Sequence, residues 1–503
     1  MKRFLVLACF VLACARSTAA EDLAARVVIL ANEADEDSVR IARYYAEKRG
    51  VSAENIIALP MPTVETITWR DFVLSIWQPL QDELIRREWI DALQSQEFDD
   101  VGRRNLVSSG HRLSYLVVCR GVPLRINHNP ELFREQPGLR ERSELRTNRS
   151  AVDSELALLA FGHYDINALV PNPLFRSRDP SVLVQEMIVK VGRLDGPQFR
   201  DVIALIDGTL EAERRGLVGR AYADVRGPHR QGEQWMRLIV DQTTAMDFRP
   251  TVHDEAGTFP EGARFDAPAL YFGWYATNAN GPFRLPGFRL APGAIAVHIH
   301  SYSAGTLRSD TSGWCGPLVA RGAAATTGAV FEPYLQFMHF PHVMLAALAE
   351  GQTLGDAATV ALPCFSWMNV LIGDPLYRPF ARSEMEQWLG REQLPAGRRP
   401  YVAVREMQRL DRVGEPDAAL ALARRELQDQ PSLALGVELA TRLQAKGDLA
   451  GAADAIGFAT YLRSVPTNDW ALLKTAADIL QACGRGGRGA DGAAAPAAFA
   501  GPP

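Results

Sequence analysis

The chain has 503 residues, 47% apolar and 22% charged, a balance that excludes disorder throughout. Its 54 basic and 59 acidic residues leave a net charge of −5, so no basic field exists to hold nucleic acid by neutralising phosphates. The length exceeds one simple core and predicts a large domain with something smaller attached.

Residues 1–20 read as a signal peptide. Lys2 and Arg3 are basic, Phe4 to Ala15 is an uncharged apolar run, and Ser17, Thr18, Ala19 and Ala20 supply small residues for a cut near Glu21. Val11-Leu12-Ala13-Cys14 resembles a bacterial lipobox, which would lipidate Cys14. Leu12 suits that slot poorly, so ordinary export to the periplasm or beyond is the expectation. No later run reaches about 18 uninterrupted apolar residues, so no transmembrane segment is expected. Cys119, Cys315, Cys364 and Cys483 follow the leader, without C-x-x-C or zinc-ribbon spacing. They are too few for a disulfide scaffold, and one bridge of undetermined pairing stays open.

Residues 26–32 predict a buried strand, 38–49 a helix stopped by Gly50, and 55–59 a second strand. A helical region is expected to about Gln96, then a third strand over 113–119 ending in Arg120-Gly121-Val122-Pro123. Residues 128–150 form an Arg-rich excursion. A short strand near 217–222 and a helix at 232–246 come next. Strands follow near 249–254, 268–275 and 294–300. A helix at 313–323 leads to Ala329-Val330-Phe331, helices follow near 341–350 and 354–361, and Val370 to Pro375 closes the domain. Strands alternating with helices predict an α/β domain over 22–380, with a mainly parallel sheet covered by helices on both faces.

Residues 381–400, with Pro395, Gly397 and Pro400, read as a linker. Pro416–Asp429, Ser432–Lys446 and Asp448–Arg463 each predict one helix of an annex over 401–483. Its spacing resembles tetratricopeptide-like helix pairs, which commonly present concave surfaces to partners. Residues 484–503 are mostly Gly, Ala and Pro and predict a disordered tail.

The most unusual string is Val297-His298-Ile299-His300-Ser301-Tyr302-Ser303-Ala304-Gly305. On a strand, His298, His300 and Tyr302 share one face and Ser301 and Ser303 the other. Two imidazoles need a third ligand to hold zinc. His253, His339 and His342 are present without a supporting motif, so no metal is expected. Ser301-x-Ser303-x-Gly305 looks like a nucleophile elbow, but no helix starts straight after it to supply oxyanion donors. Gln481-Ala482-Cys483-Gly484 resembles the caspase cysteine motif. Arg485 stands in the glycine slot and no His lies after His342, so Gly484 reads as a helix C-cap.

A broader resemblance covers about residues 210–380. Ala269 to Trp274, Ala294 to His300, Gly328-Ala329-Val330, Gly355-Asp356-Ala357 and Gly373-Asp374-Pro375 look like the gingipain-type arm of the caspase-fold cysteine peptidases. In that family one strand ends in His-Gly and the next in the nucleophilic Cys. Here the first ends in Gly273-Trp274-Tyr275 and the second in His298-Ile299-His300-Ser301-Tyr302, so both positions depart. Cys315 is the nearest thiol, about where a helix begins. A helix N-terminus would lower its pKa, and burial as a small apolar residue competes.

From the leader to Phe380 the chain is also similar to a secreted bacterial family of no established activity that accompanies the exosortase protein-sorting system. Gly121-Val122-Pro123-Leu124, Val152-Asp153-Ser154-Glu155-Leu156, Arg193-Leu194-Asp195-Gly196, His300-Ser301-Tyr302-Ser303, Glu332-Pro333-Tyr334 and Gly373 to Pro379 carry the resemblance. The sorting tail itself is not seen after Gly484.

In an open parallel sheet, ligands bind beyond the carboxyl ends of the strands. That rim would gather Arg120, Trp274, Tyr275, His298, His300, Ser301 and Ser303, with Asp153 and Glu155 as candidate cation ligands or partners of Arg120. Arg120 could hold a carboxylate and the aromatics a peptide or sugar. The lack of a Gly-rich phosphate fingerprint argues against a cofactor. Two functions follow as expectations. One is binding or envelope assembly, with peptides or other envelope proteins as partners of the annex, on a peptidase-like scaffold that has lost its Cys–His pair. The other is a hydrolase with a rearranged site using His298 or His300 and Ser301, Ser303 or Cys315.

Overall fold

The computed structural model describes residues 23–134, 142, 145–167, 169–177 and 187–484. The signal peptide, Cys14, the cut near Glu21, part of the 128–150 excursion and the tail from 485 onward lie outside the described residues. The protein is α/β, with a large, mostly parallel sheet flanked by helices and a helical C-terminal region. The chain divides into two compact units. The first runs to Asp207 and returns over Ile299–Ala320 and Ala324–Arg378. The second comprises Gly208–His298, Arg321–Ala323 and the chain from Pro379 onward.

In the first unit the strands lie in the order Ala325–Ala329, Asn369–Gly373, Lys190–Leu194, Tyr115–Cys119, Val27–Asn32, Ile56–Leu59. The Val27–Asn32 strand is buried along its whole length, as a parallel strand covered on both faces requires. It pairs in parallel with its two neighbours, Leu30 opposite Ile57 and Val28 opposite Leu116. Lys190–Leu194 extends the parallel run beside Tyr115–Cys119, and Ala325–Ala329 pairs antiparallel with Asn369–Gly373. The Glu36–Arg49 helix begins where the Asp35 carboxylate accepts the Asp37 and Ser38 amides. It ends at Gly50, whose φ of 67° a side chain would resist.

The structure corrects the helical reading of residues 87–96. The helical stretch ends at Arg86, and Ile90–Phe98 and Arg104–His111 form an antiparallel hairpin. No glycine or proline marks that helix end. Glu88 reverses the chain at φ 61°, and Asp99 closes the hairpin by accepting the Val101 and Arg103 amides. The Lys190–Leu194 strand and the Phe199–Arg215 helix escaped the sequence reading. The strand carries Lys190 and Arg193, which resemble surface residues, yet Arg193 is fully buried.

In the second unit the strand order is Thr251–His253, Arg220–Asp224, Pro268–Trp274, Ile295–Ile299. The first two and the second and third pair in parallel. Within residues 381–400, Glu384–Leu389 is a short helix opened by a capping box between Ser383 and Glu386. Helices Arg399–Arg412, Pro416–Asp429, Leu433–Ala445, Leu449–Ile456 and Trp470–Ala482 follow. The last ends at Cys483, with Gly484 at φ 71° just beyond. Ala419, Ala423, Ala440, Ala452, Ala453 and Ala476 are buried among these helices, where small residues let the backbones approach.

Candidate functional site

Parallel pairing in the first unit brings Asn32, Arg120 and Asp195 to one rim, beyond the carboxyl ends of adjacent strands. Arg120 faces Asp35 at 3.6 Å and Asp37 at 3.9 Å, too far for direct hydrogen bonds. It does not pair with Asp153 or Glu155. Asp153 is taken by Arg193, whose Nε lies 2.9 Å from Oδ2 and whose Nη2 lies 2.5 Å from Oδ1. Arg193 also donates to the Val122 and Pro123 carbonyls and to Asp195, which Arg308 pairs from the other side. Glu155 accepts from the Tyr164 hydroxyl at 2.5 Å and the Ser366 hydroxyl at 2.8 Å. Both acids, Asp153 and Glu155, are buried and committed to protein partners.

The strand carrying the histidines ends at Ile299, and the expected alternation stops there. His300 and Ser301 are half-buried, with His300 Nδ1 2.7 Å from the Ser301 carbonyl, and Tyr302 turns the chain at φ 56°. Ser303 is fully buried, and its Oγ accepts the Ala329 amide at 3.1 Å. Cys315 opens the Cys315–Ala320 helix, as expected, and its side chain is buried. Its Sγ donates to the Thr327 carbonyl at 3.6 Å, and burial pushes the thiol up to about 12, held back only in part by the Thr326 and Ser303 hydroxyls. Gly328 is required here: a Cβ would overlap Cys315 Sγ and crowd Ser303 Oγ.

His298 lies in the second unit and is buried. Its Nε2 accepts the Ala276 amide at 3.1 Å, which leaves Nδ1 to donate to the Tyr271 oxygen 2.8 Å away. Trp274 is fully buried, donating Nε1–H to the Val225 carbonyl, whereas Tyr275 is 42% exposed beside His229. Of the two aromatics expected to offer surface, only Tyr275 does.

A pair absent from the sequence reading of the site stands at the carboxyl ends of two adjacent strands. Asp224 Oδ1 lies 2.7 Å from His253 Nδ1, and Oδ2 accepts the Phe259 amide at 3.1 Å. Burial raises Asp224 to about 6, against the lowering effect of His253 and the Phe259 N–H. A carboxylate at Nδ1 orients the imidazole and leaves Nε2 as the working nitrogen. Only strand order puts Asp224 beside His253, so spacing alone carried no signal.

No family model, curated protein or solved structure matches the chain. The chemistry in place is therefore the guide to function. Among the described residues no group of three or more His, Cys, Asp or Glu side chains is arranged to hold a metal ion. No helix among them is long and apolar enough to cross a membrane. An open cleft of about 1110 Å³ in the first unit lies at the amino ends of the strands, lined by Arg26, Asn55, Trp89, His111 and Arg112, away from the rim.

Proposed function

We propose that the chain is an exported, envelope-associated protein that binds or assembles through a peptidase-like scaffold, with the ordinary Cys–His pair lost. The observation that carries this is the Cys315 thiol: buried, donating to a backbone carbonyl and pushed up to about 12. A cysteine nucleophile needs a thiolate and access, and this one has neither. Ser303 is buried as an amide acceptor, and both ring nitrogens of His298 are engaged. The basic and apolar leader supports export, and helices packed on buried alanines support a tetratricopeptide-like annex as the partner surface. A caspase- or gingipain-like arrangement and kinship with the exosortase-associated family belong to the same proposal and rest on the motifs quoted above.

A hydrolase with a rearranged site is the second reading. It is favoured by one observation: Ser301 and His300 keep partial access to solvent while the other candidates are buried. The test is labelling of the purified chain from residue 21 onward with fluorophosphonate and acyloxymethyl-ketone probes, alongside Ser301→Ala, Ser303→Ala and Cys315→Ala. The expected result is no labelling that any of these changes removes. Labelling abolished by one of them would overturn the binding-only reading.

A further inference from the structure

We propose that Arg125 and Arg149, gathered over the Phe331 ring in the first unit, form a binding site for the carboxylates of an acidic peptide. The guanidinium carbons lie 5.1 Å and 5.4 Å from the centre of that ring. The shared ring caps their separation at about twice that distance, close enough for the Arg149 charge to act on Arg125. Like charges so placed repel, and among the described residues only the Glu65 charge, acting from beyond ion-pairing distance, offsets this at Arg125. No carboxylate of the described residues lies within ion-pairing distance of either arginine.

This sets the two apart from other arginines of the unit. Arg49 is paired with Asp374, Arg103 with Asp99, Arg193 with Asp153, and Arg308 with Asp195. Glu65, whose charge does reach Arg125, is occupied: it accepts from the Thr306 hydroxyl at 2.6 Å and the Leu307 amide at 2.7 Å. Arg125 is held in place, with Nε donating to Thr66 Oγ1 at 2.9 Å and Nη1 to the Val330 carbonyl at 3.0 Å. Its Nη2 has no partner among the described residues. Burial lowers the Arg125 pKa and the Arg149 charge adds to that effect, against Glu65 and Tyr302. A positioned, half-buried cation with no directly paired carboxylate among the described residues, beside a second, exposed cation, is a site that an anion would complete.

The surroundings favour a peptide carboxylate. Flat guanidinium forks match flat carboxylates. Tyr302, 46% exposed and edge-on to Phe331 at 6.3 Å, adds an apolar surface with a hydroxyl for the adjoining chain. Two cations on a chain of net charge −5 would not hold a phosphodiester strand, which is bound by neutralising many phosphates. The inference deepens the binding reading above, and rests on it only in that a ligand is bound.

The test is fluorescence anisotropy with labelled hexaglutamate on the chain from residue 21 onward, with hexaglutamine and inorganic phosphate as further arms. Binding of hexaglutamate that weakens with salt is expected, with hexaglutamine silent and phosphate a poor competitor at matched ionic strength. Arg149→Gln, at an exposed position that should leave the fold intact, is expected to weaken binding about tenfold, and Arg125→Gln at least as much. Arg125→Lys, which keeps the charge without the fork, should retain part of the affinity. Absence of binding, equal affinity in Arg149→Gln, equal binding of hexaglutamine, or equal displacement by phosphate would each overturn the proposal. Binding of hexaglutamate through Arg149 by a protein that the hydrolase probes do label would sink the lost-catalysis reading and leave this one standing. An unlabelled protein indifferent to hexaglutamate would do the reverse.

Discussion

Arg193 and Asp153 form a buried fork-to-carboxylate pair, the guanidinium fully enclosed and its Nη2 2.5 Å from Oδ1. It joins the Lys190–Leu194 strand to the short Val152–Leu156 helix and, through the Val122 and Pro123 carbonyls, to the loop after Cys119. Removing one partner of such a pair leaves a buried charge with nothing to balance it. Arg193→Met should therefore cost about 3–5 kcal/mol, read as a lower urea midpoint at unchanged slope. Arg193→Met combined with Asp153→Leu should recover much of that loss. A double variant no better than the single would refute this account.

Cys119, Cys315 and Cys364 are buried free thiols, and burial raises the pKa of each. Among the described residues only Cys483 has partial access. In the chain from residue 21 onward, a disulfide-exchange reagent near pH 8 should therefore react promptly with Cys483 alone, and with all four cysteines in denaturant. Rapid native labelling of Cys315 would contradict its burial and revive it as a nucleophile.

Gly232 lies in the Arg230–Ala245 helix, where alanine would ordinarily add about 1 kcal/mol of stability. Here a Cβ would overlap the Trp274 ring, which is fully buried and hydrogen-bonded to Val225. Gly232→Ala should destabilise by about 1–3 kcal/mol, whereas Gly457→Ala, in open space, should not. Thermal melts of the two variants against the parent chain decide it.

His339 is buried, and burial lowers it to about 3. In the unfolded chain the same ring titrates near 6.5, so between these values the unfolded state binds more protons. Stability is therefore lost as pH falls below about 6.5, by at most about 1.4 kcal/mol per pH unit from this group. His339→Gln should lose less on acidification than the parent, with a stability difference that is constant above pH 7. A difference that stays flat down to pH 4 would show that the ring is not buried neutral.

Much of the strand and helix order was legible in the sequence because burial writes itself into periodicity, although the Lys190–Leu194 strand and the Phe199–Arg215 helix were not. The Val27–Asn32 run is apolar on both faces, and Asp35 and Gly50 bracket the helix after it with a cap and a left-handed stop. Pro416 opens its helix at the position expected of a residue without an N–H. The hairpin at 90–111 was not legible, because the helix before it ends without glycine or proline and its strands are largely solvent-facing. Nor were the pairings that decide the chemistry. Asp224 meets His253 across 29 residues and Arg193 meets Asp153 across 40, and Arg125 and Arg149 converge on a ring from a distant strand end. Periodicity records whether a residue is inside, but not what it faces there. Strand order and register supply the partner, and they turned Cys315 from a helix-start thiol into a protonated core residue.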